Sequence, residues 1–220
     1  MPRPGHLLTL AVAAAAFYLY ALASDNALLG LLVKPIPVLA LIAWLSTTPA
    51  TPYRRWIILG LAFSVLGDIL LAIPRDLFVF GLGAFLCAHL AYLRGYCSLT
   101  RRPAYPALAC AVLIGGSLFG LLAGHGLGPL LIPVALYALT IGAMLWRALA
   151  CGGLAALGAC AFVFSDSLIG IDRFVSPFAT AEYLIILFYW LGQWLIAASV
   201  SRDTSDKVLT QSGASNARSC

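Results

Sequence analysis

Four ionisable side chains lie inside long apolar stretches of this 220-residue sequence: Lys34, Asp68, His89 and Asp166. In hydrocarbon each of them costs about 2.5 to 3.5 kcal/mol or more, so each asks for a reason. Two carboxyl groups, an imidazole and an ammonium in one dry place can move protons. They could do so as general acid and base toward a bound substrate, or as the coupling groups of a transporter. Their neighbours recur at helical spacing. One series runs Ser64, Asp68 and Arg75, a second Phe78, Phe85, His89, Tyr92 and Tyr96, a third Phe162, Asp166 and Arg173, and a fourth Glu182, Tyr189 and Gln193. At 3.6 residues per turn each series occupies one helix face, and none of these faces suits lipid. The economical arrangement turns all four toward one internal polar cavity.

Taken singly, each residue also has a plainer explanation. Lys34 could snorkel to an interface, His89 could be a satisfied packing histidine, and either aspartate could sit in a buried structural ion pair. A purely structural membrane subunit would leave the similar depths of Lys34, Asp68 and Asp166 without a cause.

The elements that position these residues follow from composition. Hydrophobic residues make up 62% of the chain and charged residues 10%, with a mean hydropathy of +0.99. A soluble domain is about half apolar and a quarter charged, so this is a polytopic membrane protein. Cutting at Pro, Gly and charged clusters leaves eight apolar runs, at residues 7–23, 28–45, 57–73, 77–97, 106–123, 129–149, 152–171 and 182–200. Each is near the 20 residues that span a bilayer as a helix and lacks the alternation of a barrel strand. The predicted fold is all-α, with a transmembrane domain over residues 1–201 and a disordered cytoplasmic tail over 202–220, rich in Ser, Thr, Asn and Asp.

Eight spans place both termini on one side with Arg3, Arg54, Arg55, Arg94, Arg101, Arg102, Arg147, Arg202, Lys207 and Arg218; the other side has Arg75 and Arg173. Ten against two predicts cytoplasmic termini, and the net charge of +5 reads as orientation, not nucleic-acid binding. The composition and short loops suggest a bacterial inner membrane. A rival reading takes the first run as a signal peptide cleaved after Ala21-Leu22-Ala23, although Tyr18 and Tyr20 are bulky for such a site. At about 1.5 Å per residue, Lys34, Asp68 and Asp166 fall in the outer half of a core about 30 Å thick. His89 falls about a turn deeper.

Shifting the chain by 98 residues sets Pro35 on Pro133, Ala40-Leu41 on Ala138-Leu139, Gly60 on Gly158, Asp68 on Asp166, Ile73 on Ile171 and Arg75 on Arg173. A shift of four spans preserves direction, so the expected relation is two parallel four-helix repeats. Gly116, Gly120 and Gly124, at four-residue spacing, predict close helix packing. The six cysteines have no paired short spacing, and neither His-Glu-x-x-His, Gly-x-Ser-x-Gly nor a Walker sequence occurs.

With those residues in view, the sequence resembles the YhhN-type lysoplasmalogenase family. The resemblance rests on Lys34-Pro35, Ser64-Val-Leu-Gly67-Asp68-Ile-Leu70, Phe80-Gly81 through Phe85, His89 and Tyr92, and Tyr137 with Met144. It continues through Gly158-Ala159-x-x-Phe162-x-x-Ser165-Asp166-Ser167-Leu168 and Tyr189 with Gln193. It implies an eight-helix hydrolase that cleaves the vinyl ether bond of lysoplasmalogens drawn from the bilayer, giving a fatty aldehyde and glycerophosphoethanolamine or glycerophosphocholine. The implied motif residues are Lys34, Asp68, His89, Tyr92, Tyr137, Asp166, Tyr189 and Gln193.

Such a reaction begins with protonation of the alkene carbon to an oxocarbenium ion; water adds and the hemiacetal collapses. It requires an acid that holds its proton at neutral pH and a nearby negative charge, a division of labour that two carboxyl groups provide in glycosidases. The expected catalytic residues are therefore Asp68 and Asp166 as the carboxyl pair, with His89 to position water or relay a proton. Lys34 would bind substrate phosphate or hold one aspartate ionised, and Arg75 and Arg173 are candidates for the head-group phosphate. Tyr92, Tyr137, Tyr189 and Gln193 complete the expected substrate contacts. The scheme calls for no metal or organic cofactor. The reading from a different class is a proton-coupled small-molecule transporter, served by the same buried carboxyls and by Pro35 and Pro133.

Overall fold

The computed structural model describes the backbone of residues 4–73 and 77–216 and the side chains of residues 6–73 and 77–202. Described residues form helices α1 (Pro4–Ala23), α2 (Ala27–Val33), α3 (Ile36–Ser46), α4 (Pro52–Ala72), α5 (Phe78–Leu99), α6 (Tyr105–Gly124), α7 (Leu131–Cys151), α8 (Gly153–Phe174) and α9 (Ala181–Asn216). A 3-10 turn over Gly128–Leu130 leads into α7. The all-α expectation holds, with eight helical segments long and apolar enough to cross a membrane. Apolar side chains such as Leu113, Ile132 and Leu139 point outward, as they must toward lipid.

The second span is two helices. Pro35 has no N–H and its ring crowds the preceding turn, so α2 stops at Val33 and α3 starts at Ile36, with Lys34 at the joint. Asn26 caps α2 by accepting from the Leu29 N–H, and Thr51 caps α4 by accepting from the Arg54 N–H. Between α7 and α8 the chain reverses through Gly152 and Gly153 at φ +74° and +55°, a left-handed pair open to glycine. α9 continues past residue 202, where the sequence places the start of the tail, to Asn216.

The two halves pack alike. α4 lies along α5 as α8 lies along α9, α1 meets α3 as α6 meets α7, and α3 meets α4 as α7 meets α8. Each half also reaches into the other through matching pairs, α3 with α9 and α7 with α5. This is the contact pattern of the two parallel repeats that the 98-residue offset suggests.

Glycines allow the closest approaches, though not those expected. A Cβ on Gly116, Gly120 or Gly124 would meet nothing within 4 Å, so these line no helix contact. α6 is peripheral, with Ala111 and Leu122 its buried residues, and spacing along a sequence does not say which face of a helix has a neighbour. The tight contacts are elsewhere. Gly60 receives the ring of Tyr92, Gly67 that of Phe85 and Gly81 the side chain of Leu71, while Gly158 and Gly192 bring the backbones of α8 and α9 together.

Two arginines that read as orientation signals also bind the backbone. Arg147, buried in α7, donates from Nη1 to the Arg102 carbonyl at 2.6 Å and from Nη2 to that of Thr100. Arg54 likewise donates to the Thr48 carbonyl. These bonds fix the links before α6 and α4.

Candidate active site

Helix direction decides which of the striped side chains meet. α4 and α8 run toward the end of the bundle at which α5 and α9 begin, whereas α5, α7 and α9 run away from it. Side chains lean toward the N-terminus of their own helix. The aspartates on α4 and α8 thus lean one way and the tyrosines and histidine on the other three helices lean the opposite way, which brings them together. Tyr189 donates to Asp68 Oδ2 at 2.7 Å, and Tyr137 donates to Asp166 Oδ2 at 2.5 Å. His89 Nε2 lies 3.1 Å from the same Asp166 oxygen and 3.0 Å from the Tyr137 hydroxyl. The turn of extra depth expected for His89 is closed by this opposed lean.

Because the Tyr137 proton is committed to Asp166, the two oxygens facing His89 Nε2 are acceptors. His89 Nε2 is therefore placed to donate to either oxygen. Nδ1 is buried with no hydrogen-bond partner in the protein. Tyr92 donates to Gln193 Oε1 at 2.7 Å and lies 3.5 Å from Ser64 Oγ, while Gln193 Nε2 is likewise buried without a partner. Each such atom, left without a hydrogen bond, costs about 1 to 3 kcal/mol.

Phe162 stands at the centre. Its ring meets His89, Tyr189, Tyr92 and Phe85 edge-on, with centroids 4.9, 5.4, 6.3 and 6.2 Å away, and Phe85 meets Tyr189 at 5.8 Å. Among the described residues the two carboxyl groups share no hydrogen bond; each has its own tyrosine donor, with Phe162 packed against both groups of partners.

Two separate spaces take the place of the single polar cavity expected. Asp68, His89 and Gln193 are buried, and open space lies on either side of them. One space is an apolar cleft between α5, α6, α7 and α8 that reaches Asp166 and Tyr137 and is walled by Phe85, Leu118, Ala138 and Ile141. The other is a polar cavity of about 320 Å³ lined by Tyr18, Asp25, Asn26, Lys34 and Glu182. Leu71, one turn beyond Asp68, lines both. The Leu71 side chain stands where the two meet, a consequence of volume that helix faces alone do not convey.

The remaining expected residues are more scattered. Lys34 lines the polar cavity, with its ammonium 6.0 Å from the Tyr18 ring centroid. The Arg173 guanidinium lies 3.9 Å over the Phe78 ring near the open end of the apolar cleft. Arg75 lies outside the described residues. The sequence reading gave no site role to Tyr18 or Asp25. Tyr18 packs edge-on to Trp190 at 5.5 Å, and its signal was a polar-tipped ring inside an alanine run. Asp25 stands at φ +50° in the turn between α1 and α2. Among the described residues no three His, Cys, Asp or Glu side chains converge as metal ligands.

Comparison with known proteins supplies a relationship. The model of the YhhN family matches residues 29–200. The human lysoplasmalogenase TMEM86B is 36% identical over 178 residues, covering 80% of this chain and 77% of the relative. A lysoplasmalogenase from Mycobacterium tuberculosis is 37% identical over 166 residues, covering 64% and 62%. Bovine lysoplasmalogenase TMEM86A is 29% identical over 206 residues, covering 83% and 82%. No solved structure matches the chain.

Proposed function

The chain belongs to the YhhN family, and from that membership we propose that it is a lysoplasmalogenase, a multi-pass membrane hydrolase that cleaves the vinyl ether bond of 1-alkenyl lysophospholipids. Water is consumed, and a fatty aldehyde and a glycerophospho-alcohol such as glycerophosphoethanolamine are released. Nothing in the comparisons favours transport. The geometric observation that best supports the reading is the Asp166, Tyr137 and His89 cluster bordering an apolar cleft. A hydrocarbon chain in that cleft would bring its alkenyl carbons to an acid–base group screened from water.

In this reading Asp166 and Asp68 divide two roles, delivery of the proton to the alkene carbon and balance of the oxocarbenium charge. Tyr137 and Tyr189 each fix one carboxyl group by donating to it. His89 in this scheme is neutral with its proton on Nε2, and Nδ1, which has no hydrogen-bond partner in the protein, takes a proton from the water that adds to the carbon bearing the ether oxygen. Collapse of the hemiacetal returns a proton to the departing glycerol oxygen and leaves the aldehyde. Tyr92 and Gln193 border the same cluster as substrate contacts, and Arg173 marks the open end of the cleft. The excess of basic residues on the side of the termini supports cytoplasmic termini, the eight apolar helices support a transmembrane domain over residues 1–201, and the Ala-, Leu- and Arg-rich composition with short loops supports placement in a bacterial inner membrane.

The test is to incubate purified protein with 1-alkenyl lysophosphatidylethanolamine and its 1-acyl counterpart while following aldehyde and fatty acid. Aldehyde from the alkenyl lipid alone is expected, and fatty acid from the acyl lipid would replace the reading with a lysophospholipase. Asp68→Asn and Asp166→Asn should each abolish aldehyde release in protein that still folds and extracts; normal turnover in either would refute the carboxyl pair.

A further inference from the structure

His89 Nδ1, Gln193 Nε2 and Tyr96 Oη share one part of the bundle, and none of them has a hydrogen-bond partner in the protein. All three side chains are fully buried. None of these residues lines the apolar cleft or the polar cavity, so neither space supplies the missing partner. A single orphaned atom is an expense a fold can carry, but several in one place ask for a common cause. Protein interiors satisfy such groups with buried water, which makes about three hydrogen bonds where polar atoms converge.

The arrangement is linear. His89, Tyr92 and Tyr96 are three and four residues apart, so they form one stripe along α5, with steps of about 4.5 and 6 Å at 1.5 Å per residue. A water hydrogen-bonded at both ends bridges atoms about 5.5 Å apart, which matches both steps. Hydrogen bonds tie the stripe to the flanking helices: Tyr92 donates to Gln193 Oε1 of α9 at 2.7 Å and stands 3.5 Å from Ser64 Oγ of α4. Tyr53, eleven residues before Ser64 and on the same face of α4, continues the line. Its ring centroid lies 6.1 Å from that of Tyr96, and its hydroxyl lies 2.6 Å from Ser199 Oγ. Ser199 is only half-buried, so the line reaches the surface at the end of the bundle where α4 begins. Ile57, Leu61 and Ile196, fully buried on α4 and α9, provide apolar surroundings that confine it.

We propose that α4, α5 and α9 hold a file of buried waters from Ser199 and Tyr53, past Tyr96, to Gln193 Nε2 and His89 Nδ1, and that this file supplies the water consumed in hydrolysis. The supply role rests on the hydrolase reading, whereas the file itself rests on the orphaned atoms. On α5 the apolar cleft is lined by Phe78, Leu82 and Phe85, all before His89, while the file runs after it. A hydrocarbon chain in the cleft therefore leaves the file open. Tyr96 is a positioning residue, since it holds water on its way to His89 and does not touch the lipid.

The test uses the full chain purified in detergent and hydroxyl radicals generated by brief X-ray exposure. The radicals form from water where it is held and mark adjacent side chains, which mass spectrometry reads. Tyr92 and Tyr96 are expected to be marked in the wild type in spite of their burial, and Tyr96→Phe should lower the marking of Tyr92. In the same variant kcat should fall about three- to tenfold, with KM for the lipid unchanged. A dry seam gives the opposite result: removal of an unpartnered hydroxyl leaves turnover intact and Tm equal or higher. Unmarked Tyr92 and Tyr96 in the wild type, or wild-type turnover in Tyr96→Phe, overturns the proposal, and the first of these readouts needs no variant to fold. Marked tyrosines in a protein that releases no aldehyde would sink the hydrolase reading and keep the water file, whereas aldehyde release with unmarked tyrosines would do the reverse.

Discussion

Replacing Gly192 by alanine probes the contact on which the arrangement of the site depends. The new Cβ would lie 2.9 Å from the Phe162 backbone nitrogen and 3.0 Å from the Gly158 carbonyl oxygen. Ordinary contact begins near 3.4 Å, so α8 and α9 must part by about half an ångström, because backbone atoms cannot swing aside as a side-chain tip can. Overpacking of this kind costs about 1 to 3 kcal/mol, or roughly 2 to 12 °C in Tm for a chain of this size. Function should suffer more than stability. Gly192 adjoins Gln193 and lies less than one turn from Tyr189, while Phe162, whose nitrogen is struck, contacts four other rings of the cluster. A displacement approaching 1 Å at reacting groups can cost about a hundredfold in rate, so a ten- to hundredfold fall in kcat is expected. The comparison variant is Gly116→Ala, where the added methyl meets nothing within 4 Å. It should keep full activity and gain slightly in stability from helix propensity. Thermal unfolding in detergent and aldehyde release coupled to an NADH-dependent alcohol dehydrogenase give both readouts. If Gly192→Ala matched Gly116→Ala in both, the claim that backbone contact between α8 and α9 sets the site would be refuted.

Tyr137→Phe removes the donor to Asp166 and the partner of His89 together. A hydrogen bond to a charged group contributes about 1.5 to 3 kcal/mol, so stability should fall by about that much, and kcat by about ten- to hundredfold if the bond holds Asp166 for the reaction; an unchanged pH–rate profile and rate would exclude the tyrosine from the reaction. Ala138→Trp places an indole in the apolar cleft, and KM should rise about tenfold for long-chain substrates but little for short-chain ones, measured across a homologous series. Arg147→Lys replaces a fork that reaches two carbonyls with a point charge that cannot span both. A loss of about 1 to 2 kcal/mol of stability is expected, with turnover per folded molecule unchanged, and a wild-type melting curve would contradict it.

The positions of the spans were legible because membrane insertion responds to about 20 residues at a time, and each apolar run carries that information locally. The striped faces were legible for a similar reason: Asp68 with Ser64, Asp166 with Phe162 and Tyr189 with Gln193 are each four residues apart, and the helical period places them together whatever surrounds them. The break at Pro35 was not read from the sequence, where residues 28–45 form one apolar run; the missing N–H of Pro35 accounts for it once α2 and α3 are seen. The family resemblance joined these pieces into one reaction.

The partners were not legible. Tyr189 is 121 residues from Asp68, and Tyr137 is 29 from Asp166 across a helix reversal; which meets which depends on the rotation and opposed direction of packed helices. The glycine pattern shows the same limit, since Gly116, Gly120 and Gly124 have the spacing of an interface and face none, while Gly158 and Gly192 supply one from separate helices. The sequence by itself thus determined the membrane-spanning helices, the helix-face positions of the charged residues and the family. Only the tertiary structure decided that each aspartate has its own tyrosine, that a polar and an apolar space meeting at Leu71 stand where one cavity was expected, and that Tyr18 and Asp25 join Lys34. Periodicity fixes the angle of a residue about its own helix axis, whereas contacts between helices follow from how volumes fill the space between axes.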